Sequence, residues 1–135
     1  MADFLLAYKD TAANEGGYVN DPNDSGGITY CGITKKWFPH WAGWAKLNTY
    51  MPLKKGQIIK DAEIENLVVQ FYKENFWDKI KGDHINNQDS AANIYDFAVN
   101  AGVKRAVILA QNALEIEETG VMDDVTLHAI NNKNI

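Results

Sequence analysis

Residues 15–34 read EGGYVNDPNDSGGITYCGIT and carry five of the ten glycines in the chain. From Gly16 to Gly32 the segment is dense in Gly, Asn, Asp and Pro, which permit tight turns and positive φ angles. We interpret it as an ordered loop or a short β-hairpin. Apolar residues recur at helical spacing just before it, at Phe4, Leu5, Tyr8 and Ala12. This spacing predicts a first helix over residues 3–14, so that Glu15 lies at the end of a helix.

The region after the glycine-rich segment combines tryptophans with helix-breaking prolines. Residues 33–58 contain three of the four tryptophans, Trp37, Trp41 and Trp44. Pro39 and Pro52 limit any helix in this region to short pieces, because proline lacks the amide donor that a helix interior needs.

Two longer helices are predicted next from apolar periodicity. The first has Asp61 as its N-cap and an apolar face formed by Ile64, Leu67, Val68, Phe71 and Tyr72. The second is capped by Asp89 or Ser90 and ends near Gly102. Its apolar face is formed by Ala91, Ile94, Tyr95 and Ala98.

The remaining residues predict two more helices. One runs from Val103 to Leu114, and Gly102 is the only break before it, which favours a tight corner between two helices. Asp123 or Asp124 caps a last short helix that extends through Ile130. The predicted fold class is therefore mainly α.

The length and composition indicate one globular domain over residues 1–135. A chain of 135 residues with 46% hydrophobic and 23% charged residues can bury a single core and is not of disordered composition. The net charge of −5 argues against a nucleic-acid binder, which needs clustered Lys and Arg. The single Cys31 cannot form an internal disulfide.

The sequence also bears on the route by which the protein reaches its place of action. No apolar run approaches the roughly 18 residues that a membrane span needs, so we expect no membrane span. The first ten residues lack the features of a signal peptide, so we expect synthesis in the cytoplasm without one.

Glu15 and Asp24 are candidates for a pair of catalytic carboxyl groups. Hydrolysis of a glycosidic bond requires one carboxylic acid to protonate the leaving oxygen and a second group on the opposite face to attack or to position water. The turn-rich loop between the two residues can fold Asp24 back across a cleft from Glu15. Thr29, five residues farther on, has a hydroxyl able to hold a water.

Three groups of motifs occur in order along most of the chain. The first comprises Glu15-Gly16-Gly17-Tyr18, Asn20-Asp21-Pro22, Asp24, Gly26-Gly27, Thr29 and Gly32-Ile33-Thr34. The second comprises Phe71-Tyr72, Phe76-Trp77-Asp78-Lys79-Ile80 and Gly82-Asp83, and the third is DFAVNAG at residues 96–102. Together they resemble the phage-associated N-acetylmuramidases of glycoside hydrolase family 108, and several ordered motifs are far more specific than one.

This resemblance implies a lysozyme-like orthogonal helical bundle, peptidoglycan as substrate and Glu15 as the catalytic residue. Residues 103–135 are similar to the helix pair of peptidoglycan-binding modules, packed within the domain. Two departures are that residues 120–124 replace the usual Asp-Gly turn and that the chain stops at Ile135, before the closing segment of such modules. We expect this region to be shortened.

Four further residues are candidates for binding substrate, each with a structural alternative. Tyr18 lies inside the first motif and is expected to face the cleft, whereas most other aromatic rings supply buried area. Asp21 is an ordinary turn residue whose side chain orders the loop. Asp96 and Asn100 are polar residues on consecutive turns of a predicted helix, either part of the core helix or the far wall of the cleft.

Cysteine and histidine offer a different chemistry. Cys31 with His40 or His84 would suggest an amidase or a peptidase. The spacing gives this little support, and an isolated Cys in an apolar run is more often a small buried residue. Three histidines without paired ligand spacing do not predict a zinc site.

The leading hypothesis is hydrolysis of the β-1,4 bond between N-acetylmuramic acid and N-acetylglucosamine, with no metal or organic cofactor. A rival is a non-catalytic peptidoglycan-binding or secretion-associated protein with the same fold. We expect a monomer that meets glycan strands in the periplasm or outside the cell, after lysis or export through a holin-like pore or a secretion system. We also expect inversion at the anomeric carbon with Asp24 as base, although a flexible loop also permits the spacing that retention needs.

Overall fold

The computed structural model describes residues 1–12, 16–20 and 27–133. Within these ranges the chain is mainly helical with one small antiparallel sheet, as the sequence predicts. The elements are α1 (Phe4–Ala12), β1 (Tyr18–Asn20), β2 (Ile28–Tyr30), β3 (Ile33–Thr34), α2 (Gly43–Asn48), α3 (Ala62–Tyr72), α4 (Gln88–Ala101), α5 (Val103–Ala113) and α6 (Asp124–Lys133). They form two compact units: unit 1 comprises Met1–Thr11 and Tyr72–Ile135, and unit 2 comprises Ala12–Phe71.

The sheet of unit 2 confirms the predicted hairpin after the first helix. Its strands are ordered β1-β2-β3, and all neighbours are antiparallel. A two-residue turn of Cys31 and Gly32 joins β2 to β3, and both residues have positive φ angles of 49° and 81°. Such turns match the right-handed twist of the strands they connect. Cys31 is half-buried at this turn, so its interpretation as a small buried residue is wrong.

Aromatic packing supplies much of the core of unit 2. Trp41 contacts Trp44 edge-on with ring centroids 5.1 Å apart, and Phe38 contacts Phe71 at 4.7 Å. A side chain at Gly43 would overlap the Trp41 ring, with a Cβ only 2.2 Å away, so the packing here requires glycine. Helix α2 lies between the two prolines and has six residues, as their positions predict.

Trp37 differs from the other tryptophans of unit 2. It is 71% exposed, and the ammonium group of Lys36 lies 5.3 Å from its ring centroid. Its ring therefore lies on the surface and is not part of the core.

The core of unit 1 is built around Phe4, Trp77 and Tyr95. Their ring centroids lie 5.5 to 5.8 Å apart and the rings are tilted or edge-on to one another, an arrangement favoured by the aromatic quadrupole. Trp77 ends a π-helical turn, Lys73–Trp77, and packs directly on Gly82. Short 3₁₀ turns, Asp78–Ile80 and Gly82–His84, lead on toward α4.

Side chains cap α3, α4 and α6 at the expected kinds of residue, with one correction for α4. Asp61 Oδ1 accepts the backbone amides of Glu63 and Ile64, as predicted for the N-cap of α3. The cap of α4 is Asn87, whose Oδ1 accepts the amide of Ser90 at 2.9 Å. The prediction of Asp89 or Ser90 is therefore wrong by two or three residues, because Asn87 is extended and the helix begins at Gln88.

The last two predicted helices are confirmed. Gly102 separates α4 from α5 with φ 101° and ψ 149°, which a side chain would disfavour. Asp123 precedes α6 and accepts the amide of Thr126 at 2.8 Å. The hydrogen bond from the Thr126 hydroxyl, and then that from its amide, lower the pKa of Asp123 below its usual value.

The loop between α5 and α6 is organised by the fully buried Gln111. Its Nε2 donates to the hydroxyls of Thr119 and Thr126, each at 2.9 Å, and to the carbonyl of Val121 at 3.2 Å. Its Oε1 accepts the amide of Gly120 at 3.0 Å. One side chain thus satisfies polar groups on both sides of the segment that replaces the Asp-Gly turn.

Candidate functional site

The site predicted from the sequence centres on the chain that enters β1. Glu15, Asp21 and Asp24 lie outside the residues that the structure describes. Glu15 directly precedes Gly16 and Gly17, which lead into β1, and the two aspartates belong to the segment between β1 and β2. The described candidates for the site are Tyr18, Thr29, Asp96 and Asn100.

A turn at residues 54–57 packs against the outer edge of β1. The amide of Tyr18 donates to the carbonyl of Gln57 at 2.9 Å, and the amide of Gly56 donates to the carbonyl of Tyr18 at 2.7 Å. Gly17 makes this approach possible, because a Cβ there would lie 2.4 Å from the Gln57 oxygen. The start of β1 is consequently held between β2 and this turn.

The register of the sheet places Tyr18 and Thr29 on opposite faces. Tyr18 pairs with Tyr30, and Val19 pairs with Thr29. Side chains of paired residues share a face and successive residues alternate. The face with Tyr18 and Tyr30 is buried, since these side chains are 7% and 1% exposed, whereas Thr29 lies half-buried on the other face. Tyr18 and Thr29 therefore do not present their side chains to the same surface of the sheet.

Tyr30 anchors the buried face to the segment that leads into α3. Its hydroxyl oxygen accepts the backbone amide of Ile59 at 3.0 Å, and burial raises the pKa of the phenol above its usual value. The ring is thus a neutral structural group under ordinary conditions and supports the strand that carries Thr29.

A pocket of about 210 Å³ opens between β1 and the 54–57 turn. It is lined by Tyr18, Val19, Asn20, Leu53 and Lys55. The lining combines one cationic side chain and one amide with apolar groups. Tyr18 therefore reaches an open cavity at the edge of the sheet although most of its surface is covered.

Asp96 and Asn100 belong to unit 1, where Asp96 contacts the last turn of α1. The hydroxyl of Thr11 donates to Asp96 Oδ1 at 2.9 Å, and Thr11 is only 4% exposed. The exposed Asn100 donates its amide to the backbone carbonyl of Asp96 at 2.8 Å. Asp96 thus has a structural partner four residues before Glu15 in the sequence.

A second contact fixes the other end of α1 to the start of α4. The amide of Asp3 donates to Gln88 Oε1 at 2.6 Å, and Gln88 Nε2 donates back to the carbonyl of Asp3 at 3.0 Å. Asp3 and Gln88 are 85 residues apart, and so are Thr11 and Asp96. The two helices therefore run side by side in the same direction and are joined at both ends of α1.

Comparison with known proteins identifies the family. The model of the family described as Glycosyl hydrolase 108 matches residues 8–102. The chain belongs to this family. A search of curated proteins returned no match.

A solved structure supports the assignment to family 108. The chain is similar to the structure of Brucella abortus SagA, with 30% sequence identity and a TM-score of 0.64. The similarity covers 94% of this chain and 67% of that one. The predicted mainly α, lysozyme-like fold is thus confirmed, and the chain is a glycosyl hydrolase by family.

The family 108 match includes every residue predicted for the site. Glu15, Asp21 and Asp24 fall within it, as do the described residues Tyr18, Thr29, Asp96 and Asn100. In the described part of the chain, no group of three or more His, Cys, Asp or Glu side chains is arranged to hold a metal ion. No helix among the described residues is long and apolar enough to cross a membrane.

Sequence reasoning missed the partners of two predicted site residues, namely the 54–57 turn beside Tyr18 and Thr11 beside Asp96. The 54–57 turn, with its pocket residue Lys55, lies in the region where the prolines obscure periodicity. The glycine at position 56 was the available signal in the sequence for a turn there, and the structure gives it a φ of 81°. Thr11 reads as one polar residue on a predicted helix, and nothing local reveals its partner 85 residues away.

Proposed function

We propose that this protein hydrolyses the β-1,4 bond between N-acetylmuramic acid and N-acetylglucosamine in peptidoglycan, with Glu15 as the general acid. The observation that carries the proposal is the family match over residues 8–102, which spans Glu15, the hairpin and the DFAVNAG motif. In the sequence, Glu15 follows α1 by three residues and a turn-rich segment carries a second carboxyl group, which fits the two carboxyl roles of glycoside hydrolysis.

The proposed reaction divides the chemistry between two carboxyl groups. Glu15 gives its proton to the glycosidic oxygen as the bond to the anomeric carbon breaks. A water attacks that carbon from the opposite face and loses its proton to Asp24. The new reducing end is then an α-anomer, so the reaction inverts the configuration.

Thr29 is proposed to hold the attacking water. Its hydroxyl makes no hydrogen bond with another residue of the described ranges and lies on the half-exposed face of β2. This face is the one opposite to the buried Tyr18–Tyr30 pair, which supports separate roles for Thr29 and Tyr18.

Tyr18, Asp21 and Asn100 are proposed to bind the glycan. Tyr18 contributes through the pocket at the edge of β1. The exposed side chain of Asn100 uses its amide nitrogen on Asp96, so its amide oxygen remains an acceptor for a sugar hydroxyl or amide. We propose that the protein acts as a monomer on glycan strands; delivery through a holin-like pore, a secretion system or lysis stays a prediction.

A lysis assay on purified peptidoglycan with the Glu15→Gln variant tests the proposal. We expect new reducing ends from the wild type and a loss of about 10²- to 10⁴-fold in Glu15→Gln, the usual contribution of a general acid. Glu117→Gln is the matched control, because Glu117 is exposed and lies outside the family match. Binding of peptidoglycan without new reducing ends from the wild type would refute the proposal and favour a non-catalytic wall-binding protein.

A further inference from the structure

The lysines of unit 2 occur in one segment that lacks acidic residues. Residues 25–60 contain six lysines and neither Asp nor Glu, whereas all eighteen acidic residues lie elsewhere in the chain. The chain therefore contains a cationic segment although its net charge is −5. Its described part includes β2, β3, α2 and the 54–57 turn that packs on β1.

Within this segment, Lys55 lines the pocket at the edge of β1. Two hydrogen bonds of 3.0 Å close the 54–57 turn. The amide of Gln57 donates to the carbonyl of Lys54, and the amide of Lys54 donates to Gln57 Oε1. Together with the two backbone hydrogen bonds to Tyr18, these contacts hold Lys55 beside the pocket at the edge of β1. Lys55 forms no salt bridge with any residue in the described ranges, in contrast to Lys46, which pairs with Glu63 at 2.7 Å.

The lining of the pocket is suited to a small group that carries both a carboxylate and an aliphatic part. Lys55 supplies a positive charge and the exposed Asn20 supplies amide donors, both of which bind carboxylate oxygens. Val19 and Leu53 supply apolar walls for a methyl group or a methylene chain. A neutral sugar ring offers the ammonium group only neutral oxygen acceptors, whereas a carboxylate accepts a stronger, charge-assisted hydrogen bond.

We propose that this pocket binds a carboxylate-bearing residue of the peptide substituents of peptidoglycan, with Lys55 as the residue that selects for it. The inference rests on the proposed function, because the peptide is attached to the muramic acid next to the bond that would be cut. The peptides contain alanine methyl groups and free carboxylates, which match the two parts of the lining. Tyr18 follows Glu15 by three residues, so the pocket adjoins the proposed general acid along the chain.

Direct binding of a soluble peptide tests the inference without requiring hydrolysis. The probe is a synthetic tripeptide of alanine, γ-linked glutamate and lysine, compared with the same peptide after its carboxyl groups have been amidated. Binding to the full chain is measured from the amide NMR shifts of Tyr18, Val19 and Leu53. We expect Lys55→Met to weaken binding of the free acid by about 2- to 5-fold, as for loss of an exposed ion pair.

Two further variants separate a specific contact from general charge. Lys60→Met removes the same charge from the same segment, but Lys60 does not line the pocket, so its binding should equal that of the wild type. Lys55→Arg keeps the charge and should retain binding. The amidated peptide should bind the wild type as weakly as the free acid binds Lys55→Met.

The outcomes for the pocket and for the enzyme activity are distinguishable. Equal weakening in Lys55→Met and Lys60→Met, or equal binding of the two peptides, would overturn the inference even if the protein hydrolyses peptidoglycan. Lys55-dependent peptide binding in a protein that generates no reducing ends would support the pocket while refuting the proposed hydrolase.

Discussion

Thr11 and Asp96 join the last turn of α1 to α4 through a 2.9 Å hydrogen bond from the threonine hydroxyl to the aspartate carboxylate. The chain reaches Glu15 three residues after α1 ends at Ala12. The sequence left Asp96 open as part of the core helix or as a substrate-binding residue of the far cleft wall. We propose a positioning role for Asp96, because its partner Thr11 lies four residues before Glu15 in the chain.

Variants of this pair separate positioning from substrate binding. Thr11→Val leaves the half-buried carboxylate without its partner and should cost about 1–3 kcal/mol of stability. Because the end of α1 leads on to Glu15 along the chain, we expect kcat to fall about 10-fold or more while KM changes little. Asp96→Asn keeps an acceptor for Thr11 and should preserve most of kcat, whereas Asp96→Leu should not. A large rise in KM in Asp96→Asn would instead assign Asp96 to substrate.

The partner of Glu15 is tested by the two aspartates of the β1–β2 segment. Asp24→Asn should lower kcat by about 10²-fold or more if Asp24 is the base, whereas Asp21→Asn should remain close to wild type in kcat. Proton NMR of the first-formed product gives the stereochemistry, for which we expect the α-anomer. An initial β-anomer would mean retention. A near-normal kcat in Asp24→Asn would make Asp21 the next candidate for the base.

Gly17 is expected to be intolerant of any side chain. Its Cβ would lie 2.4 Å from the carbonyl oxygen of Gln57, so Gly17→Ala must displace the 54–57 turn at a cost of about 1–3 kcal/mol. Gly16→Ala is the control, because nothing lies within 4 Å of a Cβ there. Urea unfolding should show a change within about 0.5 kcal/mol for the control. Equal stability of the two variants would contradict the tight packing of the turn on β1.

Gln111 should stabilise unit 1 without contributing to catalysis. Gln111→Leu removes the partners of the Gly120 amide and of two threonine hydroxyls, which should cost about 2–4 kcal/mol. Thermal unfolding measures the effect, and Asn112→Leu on the exposed side of α5 is the control. Activity below the unfolding transition should be unchanged, since the 119–121 loop lies outside the family match.

The Tyr50–Asp61 hydrogen bond should make the free energy of unfolding depend on pH. The Tyr50 hydroxyl donates to Asp61 at 2.5 Å, and this hydrogen bond lowers the pKa of the carboxyl group, with the amides of α3 adding to the effect. A folded-state pKa below the unfolded value of about 3.9 stabilises the protein above that pH. The stabilisation is lost as pH falls through the folded-state pKa.

Tyr50→Phe tests this acid dependence. The difference in unfolding free energy between wild type and variant should be constant near neutral pH and shrink below about pH 4. Thr49→Val loses a hydrogen bond to the carbonyl of Lys46, which does not titrate, and should show a pH-independent difference. A pH-independent effect of Tyr50→Phe would remove Asp61 as the titrating group.

The predictable parts of the fold are those encoded within one helix or one turn. Asp61 was identified as a cap, and Asp123 as one of two alternatives with Asp124, because the preference for Asp before an apolar run is local. The cap of α4 was misplaced because Asn87, Asp89 and Ser90 all fit the same rule within four residues. Only the extended backbone of Asn87 distinguishes them.

The contacts that surround the candidate site depend on distant pairing and were not predictable. Glycines at 16 and 17 look alike in the sequence, but only Gly17 faces the carbonyls of Gly56 and Gln57. The opposite placement of Tyr18 and Thr29 follows from the register of β1 and β2. The sequence did not give this register, because it left the segment open as a loop or a hairpin. The carboxyl residues themselves could be nominated because the chemistry requires their residue types.

The lysine segment at residues 25–60 has a consequence for how salt should govern adsorption to an anionic cell wall. At about 0.01 M salt the screening length is roughly 30 Å, so the net negative charge of the whole chain acts and opposes adsorption. Near 0.15 M the screening length is roughly 8 Å, so only charges close to the wall polymer interact with it. The lysines of this segment then favour adsorption. At about 1 M even these are screened. Adsorption should therefore pass through a maximum at intermediate ionic strength, where a uniformly acidic protein would show a steady rise.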